Sequence, residues 1–298
     1  MLLAYIVLLK SKEKRRKSIC TEEQYWDVLV VEQGGGMKRI TFLSDFGTKE
    51  GYVAQMKGVV CSITDARIID ITHEISPHNV REGAFILWTT APFFPLGTIH
   101  VAIVDPGVGT ERKGLIITTK KQILVGPDNG LLLPTAHLLG DFVVYEITNP
   151  KYMIHPLSRT FHGRDIFAPV AAYIARGVPF DEIGTQTTHF VDLQFPLGEH
   201  HGDRIVGKVL YVDRFGNLMT NIPQEILPGD IEQKNISMVS GDHRWEQVPF
   251  VSSYGFVQQG ALLLTIGSSH FLEISVNQGN AAQLLGIGVD ADVQFLFS

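Results

Sequence analysis

Four short segments of this chain put a charged or amide side chain beside glycine or proline. They are Ser44-Asp45-Phe46-Gly47, Val104-Asp105-Pro106-Gly107-Val108-Gly109 with Arg112 just beyond, Thr160-Phe161-His162-Gly163-Arg164-Asp165, and Asp213-Arg214-Phe215-Gly216-Asn217. Such segments leave regular elements as loops, where side chains converge on a ligand. Asp105, Arg112 and His162 carry the most chemistry. Pro106 restricts the residue before it to extended geometry and Gly107 permits a turn, so the Asp105 carboxylate is presented in a fixed position. His162 lies just before a predicted helix that starts at Arg164, and the positive end of that helix favours a neutral, proton-accepting ring. A neutral imidazole beside a carboxylate can orient or deprotonate water. Arg112 can hold the carboxylate through paired hydrogen bonds or stabilise a developing hydroxide. Taken singly, each residue reads equally well as a loop ion pair; the set points to an enzyme.

The elements that must position these residues alternate from Met37 onward. Arg39 to Leu43 is predicted as a strand, Glu50 to Ile63 as a helix, Arg67 to Ile71 as a strand, Asn79 to Pro92 as a helix with Asn79 and Glu82 at capping-box spacing, and Thr98 to Val104 as a strand. This alternation implies an α/β fold with a Rossmann-like, mostly parallel sheet, whose ligands bind outside the carboxyl ends of the strands. Asp45, Asp70 and Asp105 lie at those ends. Gly114 to Thr119, Ile123 to Val125 and Phe142 to Ile147 continue the sheet, and Arg164 to Arg176 forms a further helix. Gly184 to Asp203 lacks periodicity and reads as a linker. Ile205 to Val212, Gly260 to Ile266, Phe271 to Val276 and Asp292 to Phe297 are short strands between turn residues, which predicts a smaller, barrel-like all-β domain. The expected division is therefore 37–197 for the α/β domain and 203–298 for the β domain.

With 45% hydrophobic and 19% charged residues the chain is globular in composition, and 31 acids against 25 bases leave no basic field to attract a phosphate backbone. Nucleic acid is not an expected partner. Cys20 and Cys61 are too few for a disulfide framework, which favours a reducing cytoplasm. Residues 1–36 break from the rest: nine apolar residues, Met1 to Leu9, precede the basic run Lys10 to Lys17. That stretch is far short of the roughly 20 residues that cross a bilayer, and its charge order is the reverse of a secretory signal. The segment reads as a mis-called start before Met37, or as a disordered extension, with a membrane anchor as the alternative. No Gly-x-Gly-x-x-Gly follows the first strand and no Gly-Lys-Ser/Thr loop occurs, so nicotinamide and nucleoside triphosphate chemistry lose their main support. Asp45-Phe46-Gly47 matches the metal-binding triplet of protein kinases only by chance, because it sits on the first strand. His73 and His78 lack the spacing of a metal pair, and no metal is expected.

From Met37 to the C-terminus the motifs recur in the order of a known family: Phe42 to Gly47, Pro77 to Ala84, Val104 to Gly109, Gly126 to Leu132, Thr160 to Asp165, Asp213 to Asn221 and Gly267 to Ile274. In these segments the chain resembles the S-adenosyl-L-methionine (SAM) hydroxide adenosyltransferases, relatives of the SAM-dependent fluorinase and chlorinase. The resemblance implies hydrolysis of SAM, as substrate and not cofactor, to adenosine and L-methionine through attack of water on the ribose C5'. It implies that Asp105, Arg112 and His162 form the water-activating triad and that Asp45 holds the two ribose hydroxyls. It further implies that Asp213 binds the methionine amino group, Phe215 packs on adenine, Asn217 reads the adenine edge, and Ser268 and Ser269 lie at the methionine carboxylate. The fluorinase has Arg in place of Ser269, so a hydroxyl stands here where that enzyme has a cation. A homotrimer is also implied, with each SAM between the amino-terminal domain of one subunit and the β-rich domain of its neighbour.

The fluorinase has Ser where this chain has Gly163 and Tyr where it has Asp105, and its long insertion after the third strand is missing here. A carboxylate beside the nucleophile repels a halide but accepts a proton from water, which favours hydrolysis over halogenation. A SAM or adenosine sensor without turnover is the alternative from another class, and such a protein has no need of a water-activating triad.

Overall fold

The computed structural model describes residues 37–298, so the expectations for residues 1–36 lie outside it. The first half is a seven-stranded sheet in the order β2-β1-β3-β5-β4-β6-β7. Its strands are β1 (Arg39–Ser44), β2 (Arg67–Thr72), β3 (Ile99–Ile103), β4 (Gly114–Thr119), β5 (Ile123–Pro127), β6 (Phe142–Ile147) and β7 (Gly184–Thr187). The expected parallel character holds for β2, β1, β3 and β5. The remaining strands join antiparallel, because the short turn after β4 returns the chain directly onto β5 and no crossover helix fits there. β1 and β3 are near-continuous apolar runs buried on both faces. Helices α1 (Tyr52–Ile63) and α4 (Ala168–Ala175) cover one face, packing Met56, Val60 and Val170 around Ile40, Phe42 and Val101. Helices α2 (Val80–Thr90) and α3 (Leu133–Leu139) cover the other, around Leu43, Ala102 and Leu115. Asn79 caps α2 as expected, its Oδ1 accepting from Glu82 N at 3.1 Å. Glu82 reaches instead to Ser76 N and the Asn79 side chain, tying the loop before the helix to its first turn.

One polar network lies inside this sheet. His100 is fully buried on β3, its Nδ1 2.7 Å from Thr41 Oγ1 and its Nε2 3.2 Å from Gln122 Oε1. Burial pushes the imidazole down to about 4, outweighing the upward pull of Gln122. The unfolded ring titrates near 6.5, so between these values the unfolded chain binds the extra proton, and stability present above pH 6.5 is lost as the pH falls toward 4. The expected loss is on the order of 3 kcal/mol. Urea unfolding from pH 7 to pH 4 should show this slope in the native chain and a flatter one in His100→Gln, which cannot charge. Equal slopes would assign the acid sensitivity elsewhere.

The second half is an antiparallel sheet in the order β12-β11-β15-β9-β10-β14-β13, with β8 paired to β9. Its strands are β8 (Glu199–His201), β9 (Arg204–Val212), β10 (Leu218–Pro223), β11 (Ile236–Ser240), β12 (His243–Trp245), β13 (Leu262–Ile266), β14 (Phe271–Val276) and β15 (Asp292–Phe297). Ile205, Leu218, Met238, Ile274 and Phe295 fill its core. The segment 184–203 is not the bare linker expected from its composition. Its start is β7, where Gly184 lets the strand approach β6 so closely that a Cβ would stand 2.1 Å from Glu146 O, and its end includes β8. An aromatic seam joins the two halves: Phe85 stacks on Tyr211 with centroids 5.2 Å apart, and Trp88 stacks on Phe195 at 5.6 Å and tilts against Phe271 at 5.2 Å. No helix among the described residues is long and apolar enough to cross a membrane.

Candidate active site

Asp105, Arg112 and His162 meet. The chain leaving β3 folds back on itself, with Val108 N bonded to Asp105 O and Thr110 N to Gly107 O, both at 3.2 Å. Asn129 Nδ2 fixes the Val104 carbonyl at 2.7 Å, anchoring the residue before the carboxylate. Arg112 then grips Asp105 through both carboxylate oxygens, Nε to Oδ1 at 3.1 Å and Nη2 to Oδ2 at 2.5 Å. The two side chains are only 6% and 8% exposed, so the pair is shielded from water and its loss would leave a buried charge unmatched. The Arg112 guanidinium lies over the Phe167 ring, 5.4 Å from its centroid. Its Nη2 also stands 2.9 Å from His162 Nδ1.

This last contact fixes the state of the imidazole. A guanidinium only donates, so Nδ1 must be the accepting nitrogen and the ring is neutral with its proton on Nε2. Burial and the positive charge of Arg112 both hold His162 below its ordinary value. The ring is therefore neutral, as its position before a helix predicts, but its accepting nitrogen is occupied and the free one donates. Burial meanwhile pushes Asp105 up against the opposing pull of Arg112, leaving a carboxylate more basic than a paired one would otherwise be.

Two close backbone approaches bring the loops together. Gly109 has φ +77°, and a Cβ there would stand 2.1 Å from Arg159 O, so the Asp105 loop seats directly on the segment leading to His162. Gly163 opens a π-type turn, Gly163–Phe167, that precedes α4 where a plain α-helix is predicted, and a Cβ on it would press on Met56, Ile103 and Phe46 at 3.0 to 3.3 Å. The segment is anchored beneath by the buried Asp165, which accepts from Ser158 N at 2.7 Å and pairs with Arg164.

Asp45 follows β1 and is half-buried; its Oδ2 accepts from His78 N at 2.9 Å. It does not hydrogen-bond to the triad, but its neighbour Phe46 packs edge-on against Phe161 at 5.7 Å, and Tyr52 closes the trio. Asp70 does not open into this crevice: Lys57 Nζ holds its Oδ2 at 2.5 Å and His73 Nε2 stands 3.1 Å from its Oδ1. In the second half, Asp213 organises a tight turn. Its Oδ1 accepts from Phe215 N and Asn217 N at 2.8 and 2.9 Å, and its Oδ2 from Asn217 Nδ2 at 2.9 Å. The turn holds Phe215 outward, 73% exposed, and leaves Asn217 Oδ1 as the free end of that amide. Ser268 is exposed, while Ser269 Oγ is buried without a hydrogen-bond partner, an unmet polar atom in a loop edge. At the start of that loop a Cβ on Gly267 would stand 2.7 Å from the buried Glu273 carboxylate, which accepts from Tyr254 and Ser275; burial first, and this carboxylate second, raise the Tyr254 phenol above its ordinary value. Asn129, Gly109 and Glu273 lie inside the motif segments Gly126 to Leu132, Val104 to Gly109 and Gly267 to Ile274, but the sequence alone assigns none of them a role.

The sequence matches models of the SAM hydroxide adenosyltransferase N-terminal domain over residues 40–184 and C-terminal domain over residues 207–294. Among curated proteins it is 39% identical over 255 residues to a Salinispora arenicola protein named (R)-S-adenosyl-L-methionine hydrolase, covering 83% of this chain and 94% of the relative. A protein of the same name from Methanocaldococcus jannaschii is 38% identical over 267 residues, covering 87% and 95%. A fluorinase from an Actinoplanes species is more distant, at 29% over 211 residues, covering 61% and 71%. Among solved structures, an uncharacterised Thermotoga maritima protein superposes with a TM-score of 0.81 at 36% identity, covering 86% of this chain and 99% of that one.

Proposed function

This chain belongs to the SAM hydroxide adenosyltransferase family, and we propose that it hydrolyses S-adenosyl-L-methionine to adenosine and L-methionine by attack of water on the ribose C5'. The observation that carries the reading is the Arg112 bridge from a shielded carboxylate to a neutral imidazole. Asp105, its basicity raised by burial, takes a proton from water; His162 donates from Nε2 to the water oxygen and fixes its position; Arg112 keeps both groups in place. The new bond joins that oxygen to C5'. The C5'–S bond breaks with its electron pair going to sulfur, so methionine leaves as a neutral thioether and needs no acid. Asp45 holds the ribose hydroxyls, Phe215 and Asn217 receive the adenine, Asp213 meets the ammonium, and Ser268 with the unpartnered Ser269 hydroxyl meets the carboxylate.

The relatives' name specifies the R form alongside L-methionine, and since L already fixes the α-carbon, R designates the sulfonium sulfur. We propose the same epimer as the substrate here. In water enriched in heavy oxygen, the label is expected in adenosine and not in methionine, with the R-sulfonium form consumed first. Unlabelled adenosine, or methylthioadenosine as the main product, overturns the mechanism. A sensor without turnover would make no product, and the triad gives such a protein nothing.

We also propose cytoplasmic action as a homotrimer in which Asp45 of one subunit and Asp213 of another serve one SAM. The exposed Phe215 and Phe256, each 73% accessible, support a site completed by a second chain. Sedimentation of active enzyme as a monomer would exclude it.

A further inference from the structure

Asp45 stands on a polar strut, buried at Ser44 and His73 and open to solvent at Asp70 and Lys57, that uses no residue of the triad. Ser44, the residue before it, is fully buried; its Oγ accepts from Phe46 N at 3.3 Å and lies 2.7 Å from His73 Nδ1. The Asp70 carboxylate on the far side of the ring only accepts, so a neutral His73 carries its proton on Nε2 facing Asp70 and receives the Ser44 hydroxyl proton at Nδ1. That nitrogen stands 3.1 Å from Asp70 Oδ1 without the alignment of a regular hydrogen bond, and Lys57 on α1 closes the chain at 2.5 Å. The His73 backbone takes part as well, its carbonyl accepting from Gly47 N at 2.7 Å, and the same segment ends at His78, whose N holds Asp45 Oδ2. Both chain neighbours of the Asp45 turn, and Asp45 itself, are thus tied to residues 73–78. His78 adopts φ +67°, an unusual backbone for a histidine, at the point where its N–H meets the carboxylate.

We propose that Ser44, His73 and Asp70 are positioning residues for the ribose-binding carboxylate, holding Asp45 in the orientation that recognises the vicinal hydroxyls of a nucleoside. The strut sets the Asp45 turn before ligand arrives, so the ordering cost falls on the fold and not on binding. Three features separate this from simple packing: the chain is polar from Lys57 to Phe46 N, it is sealed at His73, which is 4% exposed, and it ends on the residue adjoining the carboxylate. The inference rests on the reading of Asp45 as the ribose contact.

The test uses adenosine, which carries the ribose without the reacting bond, in calorimetric titrations of the full chain. His73→Asn and the milder Asp70→Asn are expected to weaken adenosine binding by about tenfold, the scale of one charge-assisted hydrogen bond, and to erase the preference for adenosine over 2',3'-dideoxyadenosine. Turnover at saturating SAM should stay within about threefold, because the nucleophile side is untouched. In an Asp45→Ala background the same substitutions should add little, since their effect passes through that carboxylate. If Asp45→Ala weakens adenosine binding but the strut variants keep both affinity and hydroxyl preference, the strut proposal fails alone. If Asp45→Ala leaves affinity unchanged, the ribose reading fails and the strut's role goes with it. Should His73→Asn not fold, Asp70→Asn and Ser44→Ala carry the same comparison.

Discussion

Asp105→Asn and His162→Ala are expected to lower kcat for SAM hydrolysis by about 100-fold to 10,000-fold while leaving SAM affinity near that of the native enzyme. The lost groups act on water and not on bound substrate, so the change belongs in the chemical step. Asp105→Asn removes the basic oxygen and leaves Arg112 without its counterion in a shielded position. A buried charge so exposed costs about 3 to 5 kcal/mol, so thermal unfolding must accompany the kinetics. His162→Ala removes only an acceptor for Arg112, which retains Asp105 and the Lys113 carbonyl, and folding should be little affected. Calorimetric SAM binding beside single-turnover rates separates the effects. Full activity in His162→Ala would defeat the assignment; residues forming mere loop ion pairs would cost roughly 0 to 1 kcal/mol of stability and no rate.

Gly109→Ala is expected to cost about 100-fold in kcat without removing any catalytic group. A Cβ at 2.1 Å from Arg159 O must displace either the Asp105 loop or the strand of chain leading to His162 by about an ångström, a misplacement of the size that separates productive from unproductive geometry. Left-handed backbone geometry alone adds about 1 to 2 kcal/mol of instability for a residue with a side chain. Gly97→Ala supplies the control: Gly97 has φ +73° but nothing within 4 Å of its added Cβ, so it carries the backbone strain without the collision. Gly97→Ala should retain native kcat, and equal rates in the two variants would show that the Arg159 contact does not set the triad.

Much of the α/β half was legible because its signals are local. The apolar run of β1, the Asn79 cap and the turn forced by Pro106 and Gly107 each act within a few residues. The triad was found the same way, as three residue types in loops at strand or helix ends. The sequence reading missed what depends on distant partners. Ser44 and His73 are 29 positions apart, and His73 looked only like a stray metal ligand, although its environment is a hydroxyl on one side and a carboxylate on the other. β7 carries no apolar alternation because it is an edge strand held by β6 alone. β10 escaped notice because Asn221 interrupts it, yet that amide is buried and bonds to Lys208 N and the Pro196 carbonyl. The direction of the His162 proton was likewise illegible, since a helix terminus fixes charge but only Arg112 decides which nitrogen accepts.

The aromatic seam of Phe85, Trp88, Phe195, Tyr211 and Phe271 carries a consequence for how the molecule comes apart. Rings shared by two sheets couple their melting, so heat should take both halves through one cooperative transition, with no window in which one stands alone. Any injury to the antiparallel half is then charged to the half that holds the triad. A destabilised turn near Asp213 would shorten the working life of Asp105 and His162 at elevated temperature even where it leaves their chemistry intact.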